Sequence, residues 1–149
     1  MLRDNIKNDL KEAMKAGQAR RVSTLRLINA AILARETGGS ERVTLGDADI
    51  LEVMSKMIKQ RQESFDIYEK AGRAELAAQE REEIEIISAY LPKQMSDLDA
   101  AEAIAALMKE LGAETMKDMG RTMAALKQRF SGQMDFGKAG ALVKKLLAG

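Results

Sequence analysis

Cysteine, histidine and tryptophan are absent from these 149 residues, proline occurs once, and the aromatic side chains number only five: Phe65, Tyr68, Tyr90, Phe130 and Phe136. Without cysteine there can be no disulfide, zinc-thiolate site, iron–sulfur cluster or thiol nucleophile. Without histidine the Ser-His-Asp triad, the Cys-His dyad, His-ligated metals and the usual neutral-pH general base are excluded, which leaves carboxylates, Lys and Tyr for any chemistry. No catalytic residue, metal site or cofactor is expected, and a stand-alone enzyme working through carboxylates or Lys is the weakest of the readings left open. With so few aromatics, packing falls to Leu, Ile, Ala and ten Met, the composition of a helical bundle rather than a β architecture. No run approaches roughly 18 uncharged apolar residues, and the charged stretch from Met1 to Lys15 lacks the apolar core of a secretory signal, so a soluble cytoplasmic protein with no membrane partner is expected.

What is present is charge, nearly balanced but unevenly spread. Residues 1–46 carry nine basic and five acidic side chains, residues 47–95 seven and eleven, and residues 96–149 eight and seven. A net charge of +1 argues against a nonspecific nucleic-acid coat and gives no reason to expect DNA, while leaving room for a local phosphate-binding patch.

Apolar periodicity organises the chain into helices. Leu2, Ile6, Leu10 and Met14 recur every four residues before Gly17, and Val22, Leu25, Ile28, Ile32 and Leu33 form a second stripe, so the first two helices read as an antiparallel hairpin. Residues 37–46 read as a surface loop. Asp47 is placed to cap a third, long helix with Ile50, Met54, Met57, Ile58, Phe65 and Tyr68 along its apolar side, ended by Gly72. A fourth helix follows from about Arg73 to Tyr90, with Leu76, Ile84, Ile87 and Leu91 inward and Glu80, Glu82, Glu83 and Glu85 mostly outward. Pro92 cannot continue it.

The expected architecture is all-α: residues 1–91 as a four-helix, bundle-like subdomain, 92–95 as an extended hinge, and 96–149 as a three-helix subdomain. In the last, Ser96 and Asp99 resemble a capping box, a helix runs from about Met116 to Phe130, and another follows Asp135.

The order Leu10-Lys11-Glu12-Ala13-Met14-Lys15, Thr24-Leu25-Arg26, Lys59-Gln60-Arg61-x-x-Ser64-x-x-x-Tyr68-x-x-x-Gly72-Arg73, Tyr90-Leu91-Pro92 and Asp118-Met119-Gly120-x-x-Met123 resembles the YqeY-like family. That family is similar to the GatB tail domain of the tRNA-dependent amidotransferase, the enzyme that converts misacylated Glu-tRNA(Gln) or Asp-tRNA(Asn) to the amide. The tail is a helical appendage that contacts tRNA, while ATP activation and ammonia delivery take place elsewhere. The resemblance therefore implies a non-catalytic tRNA-associated module. A carbon–nitrogen ligase activity with glutamine as amido-N-donor would be inherited from the larger enzyme, since this chain has no Gly-rich phosphate cradle. One departure stands out: tail domains often read Ala-Asp-Gly where this chain has Met134-Asp135-Phe136-Gly137.

Two groups of residues carry functional readings. Lys117, Arg121, Lys127, Arg129, Lys138, Lys144 and Lys145 form a candidate phosphate-facing patch, against the alternative of an ordinary solvated face. Gln60, Arg61 and Arg73, with Glu80 and Glu83 opposite, are candidates for an ion-pair network bracing two helices, or for a carboxylate or phosphate clamp. The glutamates from 80 to 85 read as a solvated acidic face that can hold the arginines of the second helix, Arg20, Arg21, Arg26 and Arg35. The Met residues read as core. A competing function is a protein–protein adaptor that binds no RNA, docking through the methionines Met116, Met119 and Met123 or through the hinge. Oligomeric state is not set by the sequence.

Overall fold

The computed structural model describes all 149 residues and contains seven α-helices, one 3₁₀ turn and no strand. The all-helical class expected from composition is the class observed. The chain divides into two compact units, Met1–Leu91 and Pro92–Gly149, each with its own apolar core.

In the first unit α1 (Leu2–Ala16), α2 (Ala19–Thr37), α3 (Asp47–Lys70) and α4 (Ala74–Ser88) surround a core of Ile6, Ala13, Leu25, Ile28, Ile32, Leu45, Ile50, Val53, Met54, Met57 and Ile87. Gly17 ends α1 and Gly72 follows α3, at φ 68° and 72°. A side chain with a Cβ adopts that left-handed conformation only at a cost. The most extensive packing is between α3 and α4, and α2 touches all three of its partners.

Several expected positions shift. Met14 and Leu33 are exposed, because Ala13 rather than Met14 enters the core from α1, and Ile28, Ile32 and Glu36 turn inward from α2. Leu76 is also exposed, and Ala77 takes its place against α3. Asp47 is not the cap of α3. Gly46 is, and the Asp47 carboxylate instead accepts a hydrogen bond from the backbone N–H of Leu2 at 3.2 Å. Glu83 is buried rather than outward, for a reason given below.

The second unit consists of α5 (Asp97–Leu111), a 3₁₀ turn (Met116–Asp118), α6 (Met119–Arg129) and α7 (Phe136–Ala148), packed pairwise around Ile104, Leu107, Met108, Leu126, Met134, Ala139, Val143 and Leu147. Ser96 caps α5 by accepting from the Asp99 N–H at 3.1 Å. The complete capping box lies elsewhere: Thr115 and Asp118 exchange side-chain-to-backbone hydrogen bonds at the 3₁₀ turn, which starts the expected sixth helix as a tighter turn. Asp135 caps α7 through the N–H groups of Gly137 and Lys138. Phe136, the departure from the Ala-Asp-Gly pattern, opens α7 and packs half-buried against this core.

Residues 92–96 are non-helical. Within the second unit, the Met95 N–H donates to the carbonyl of Gln133 at 2.9 Å, and the Gln94 side-chain amide donates to the carbonyl of Gly132. Two of the four expected hinge residues are thus bonded into their own unit.

Candidate functional site

Both groups of candidate residues can be built up from their helices. Position 61 falls on the side of α3 that faces α4, where an apolar residue would continue the stripe, and Arg61 occupies it instead. Its Nε donates to Glu83 Oε2 at 2.9 Å and its Nη1 to the Met57 carbonyl at 3.2 Å. Both side chains are largely buried. Gln79 approaches the other Glu83 oxygen at 3.5 Å. This explains the inward turn of Glu83: a buried guanidinium needs a carboxylate, and removing either partner would strand a charge at a cost of about 3–5 kcal/mol.

Glu80 lies beside the pair, half-buried. Burial first, and repulsion from Glu83 second, push its carboxyl above the usual range. Arg81 caps the same corner with its guanidinium 5.1 Å from the centre of the Phe65 ring. Gln60 and Arg73 are exposed and stand outside the pair. The arrangement braces two helices. To clamp a ligand carboxylate or phosphate, Arg61 would first have to release Glu83.

The rest of the first unit is held by similar ties. Glu36, buried at the end of α2, accepts from the Leu45 N–H at 2.9 Å and from Arg3 at 2.5 Å, and these two bonds hold its carboxyl below the ordinary range. Tyr90 donates to Asp9, and its burial, followed by that bond, raises the phenol above its usual value. Arg20 reaches Glu82 at 3.1 Å and Arg35 reaches Glu52 at 3.5 Å, while Arg21 lies 3.9 Å from Asp9. Of the arginines of α2, only Arg20 thus meets the acidic run of α4, and Arg26 joins none of these pairs.

In the second unit all seven candidate cations are exposed, but they divide sharply by partner. Arg121 donates through Nε to Asp118 at 3.0 Å and through Nη1 to the Leu111 carbonyl at 2.8 Å, tying the start of α6 to the last turn of α5. Arg129 grips Glu110 with two bonds of 2.7 and 2.8 Å. Lys138 lies 4.0 Å from Asp97. Lys117, Lys127, Lys144 and Lys145 have no such acid. Charge is also segregated: residues 116–149 hold seven basic and two acidic side chains, whereas residues 97–115 hold one basic and five acidic. The unit's small net charge therefore conceals an acidic α5 and a basic α6 and α7.

Sequence reasoning missed the buried Arg3–Glu36–Leu45 knot and the Thr115–Asp118 cap. The first joins residues far apart in sequence and leaves no local signal. The second did leave one, the Thr-x-x-Asp spacing before α6.

Comparison with known proteins supplies further findings. The family described as Yqey-like protein matches residues 3–147. Altered inheritance of mitochondria protein 41, mitochondrial, of Eremothecium gossypii is 34% identical over 87 residues, 58% of this chain and 47% of that protein. The protein of the same name from Vanderwaltozyma polyspora is 28% identical over 120 residues, 76% of this chain and 64% of its own length. An uncharacterized protein of Schizosaccharomyces pombe is 30% identical over 93 residues, 62% of this chain and 74% of that protein. The chain spans about half the length of the first of these relatives. Two of the three names carry the word mitochondrial, so a cytoplasmic location does not follow from them. No helix is long and apolar enough to cross a membrane.

Proposed function

Because this chain belongs to the YqeY-like family, and because four lysines on α6, α7 and the 3₁₀ turn before them have no intramolecular acid, we propose that it is a non-catalytic helical module that docks RNA of the tRNA type through those elements. The observation that carries this reading is the free set Lys117, Lys127, Lys144 and Lys145. Each is an exposed ammonium with no carboxylate to neutralise it, in the basic segment of a unit most of whose acids stand on or just after α5. Ammonium groups of this kind meet phosphates as point charges and read the spacing of a backbone rather than its bases. The absence of aromatic side chains beside them in α6 and most of α7 fits shape recognition of a duplex better than stacking on single strands. Any amide transfer stays with a larger enzyme.

Arg121 and Arg129 play a different part in this reading. They tie α6 to α5 through exposed bonds, so a loss of binding on changing them would not by itself report a phosphate contact.

The test is binding of the full chain to bulk tRNA across a series of salt concentrations, with the four free lysines changed together to Ala. Phosphate contacts predict affinity that falls as salt rises, and a slope in the variant shallower by about 0.7–0.9 for each contact removed. Unchanged affinity in the variant, or no binding at low salt, would overturn the proposal and favour a protein–protein adaptor.

A further inference from the structure

The outer side of α2 is unusual for a solvated helix. Between Arg26 and Arg35 there is no charged residue, and the positions that face outward are Leu27, Ala30, Leu33 and Ala34. Leu27 is 44% and Leu33 50% exposed. Ser23, Leu27, Ala30 and Ala34 follow the spacing i, i+4, i+7, i+11, which puts them in one line along the helix. The exposed sides of α3 and α4, by comparison, are populated mainly by Lys, Arg, Asp, Glu and Gln.

At its N-terminal end this line runs into an open surface pocket of about 410 Å³ lined by Met14, Gly17, Ala19, Val22, Ser23 and Arg26. Met14, 53% exposed, forms its α1 wall. Pocket and line together make a shallow, largely apolar groove along the α1–α2 hairpin.

The unpaired charges beside the groove are mostly basic. On α1, Lys7 and Lys11 share a face with Met14, at i−7 and i−3, Lys15 follows Lys11 at i+4, and Arg26 borders the cavity from α2. None of the four makes an ion pair, in contrast to Arg3, Arg20, Arg21 and Arg35 nearby. Of the four acids on these two helices, Asp9 and Glu36 are engaged by Arg21 and Arg3, leaving Asp4 and Glu12 to oppose them.

From this charge complementarity we propose that the α1–α2 groove is a docking site for an acidic amphipathic helix of a partner protein. Its apolar residues, spaced i, i+4, i+7, would seat between Met14, Val22, Leu27 and Leu33, and its carboxylates would meet Lys7, Lys11, Lys15 and Arg26. An RNA strand would find no stacking platform here, and its phosphates would gain nothing from Leu27 or Leu33. The inference is independent of the RNA reading, which concerns the other unit.

The test uses three synthetic helical peptides of about 15 residues, roughly four turns. The first carries Leu at the docking spacing and Glu elsewhere, the second has the same composition in scrambled order, and the third has Lys in place of Glu. Each is titrated into the full chain while backbone amide shifts are followed. The expected result is saturable binding of the first peptide alone, with shifts confined to α1 and α2, weakened at least about tenfold by Leu27→Ser with Leu33→Ser and separately by Lys11→Glu with Lys15→Glu. These positions are exposed, and an unchanged melting temperature confirms that the variants fold. Equal response to the scrambled or basic peptide, or shifts outside the hairpin, would overturn the proposal. So would a salt-insensitive dimer abolished by Leu33→Ser, which would assign the groove to a second copy, or stronger binding to vesicles of anionic lipid than to the acidic peptide.

Discussion

Thr24 shows how a single residue can be placed at a loss. It is fully buried on α2, and its hydroxyl has no hydrogen-bond partner, a condition shared only with Ser55. An unmet buried hydroxyl costs about 1–3 kcal/mol, and valine has nearly the same shape without the polar atom. Thr24→Val is therefore expected to stabilise the N-terminal unit by about 1 kcal/mol, visible as a higher denaturant midpoint with an unchanged slope. A lower midpoint would mean that the hydroxyl serves an interaction made only with a partner. Glu80 is a milder case, a carboxylate held near Glu83 because Arg61 is the charge that must be neutralised, leaving the second acid poorly solvated.

At the scale of the element, helix ends explain more of the C-terminal unit than helix interiors do. Asp118 accepts from the N–H groups of Glu114 and Thr115 and from Arg121, which itself binds the end of α5. The backbone bonds first, and Arg121 after them, lower the Asp118 carboxyl to about 2 from an unperturbed 3.8. The folded-state value lies below the unfolded one, so the stabilisation is fully present above about pH 4 and is lost as pH falls towards 2. Denaturant midpoints of the natural chain should drop over that window. Asp118→Asn should start lower at neutral pH and show a smaller drop, the difference between the two profiles isolating this group from Glu110, which Arg129 also lowers. Identical profiles would remove Asp118 from any role at the junction of α5 and α6.

For the molecule as a whole, the division at Leu91 and Pro92 gives each part a separate core. Gln94 and Met95 bond only within the C-terminal unit. We expect residues 1–91 and 92–149, produced as separate fragments, each to fold, with amide spectra that overlay on those of the intact chain away from the cut. The smaller fragment lies near the size at which one core barely suffices, so it should unfold at the lower denaturant concentration. An unfolded fragment 92–149 would show that the second unit depends on the first.

The residues alone determined the helical class, the glycine-terminated helices and the family, because these depend on local spacing: apolar side chains every three to four positions, Gly17 and Gly72 where the backbone turns left-handed, and an ordered set of short motifs. Local spacing also placed Arg61 and Glu83 on facing helices. It could not tell that Glu83 turns inward, since an acid in an acidic run looks solvated until a buried guanidinium claims it. Nor could it separate all seven C-terminal cations: Asp118 stands only three positions before Arg121, but the carboxylates that engage Arg129 and Lys138 are on α5. The exposure of Met14 and Leu33 likewise depended on which of two adjacent helix positions met the core. Only the tertiary structure made those assignments, because pairing and burial are set by which helices pack together, whereas helix formation is set by neighbours along the chain.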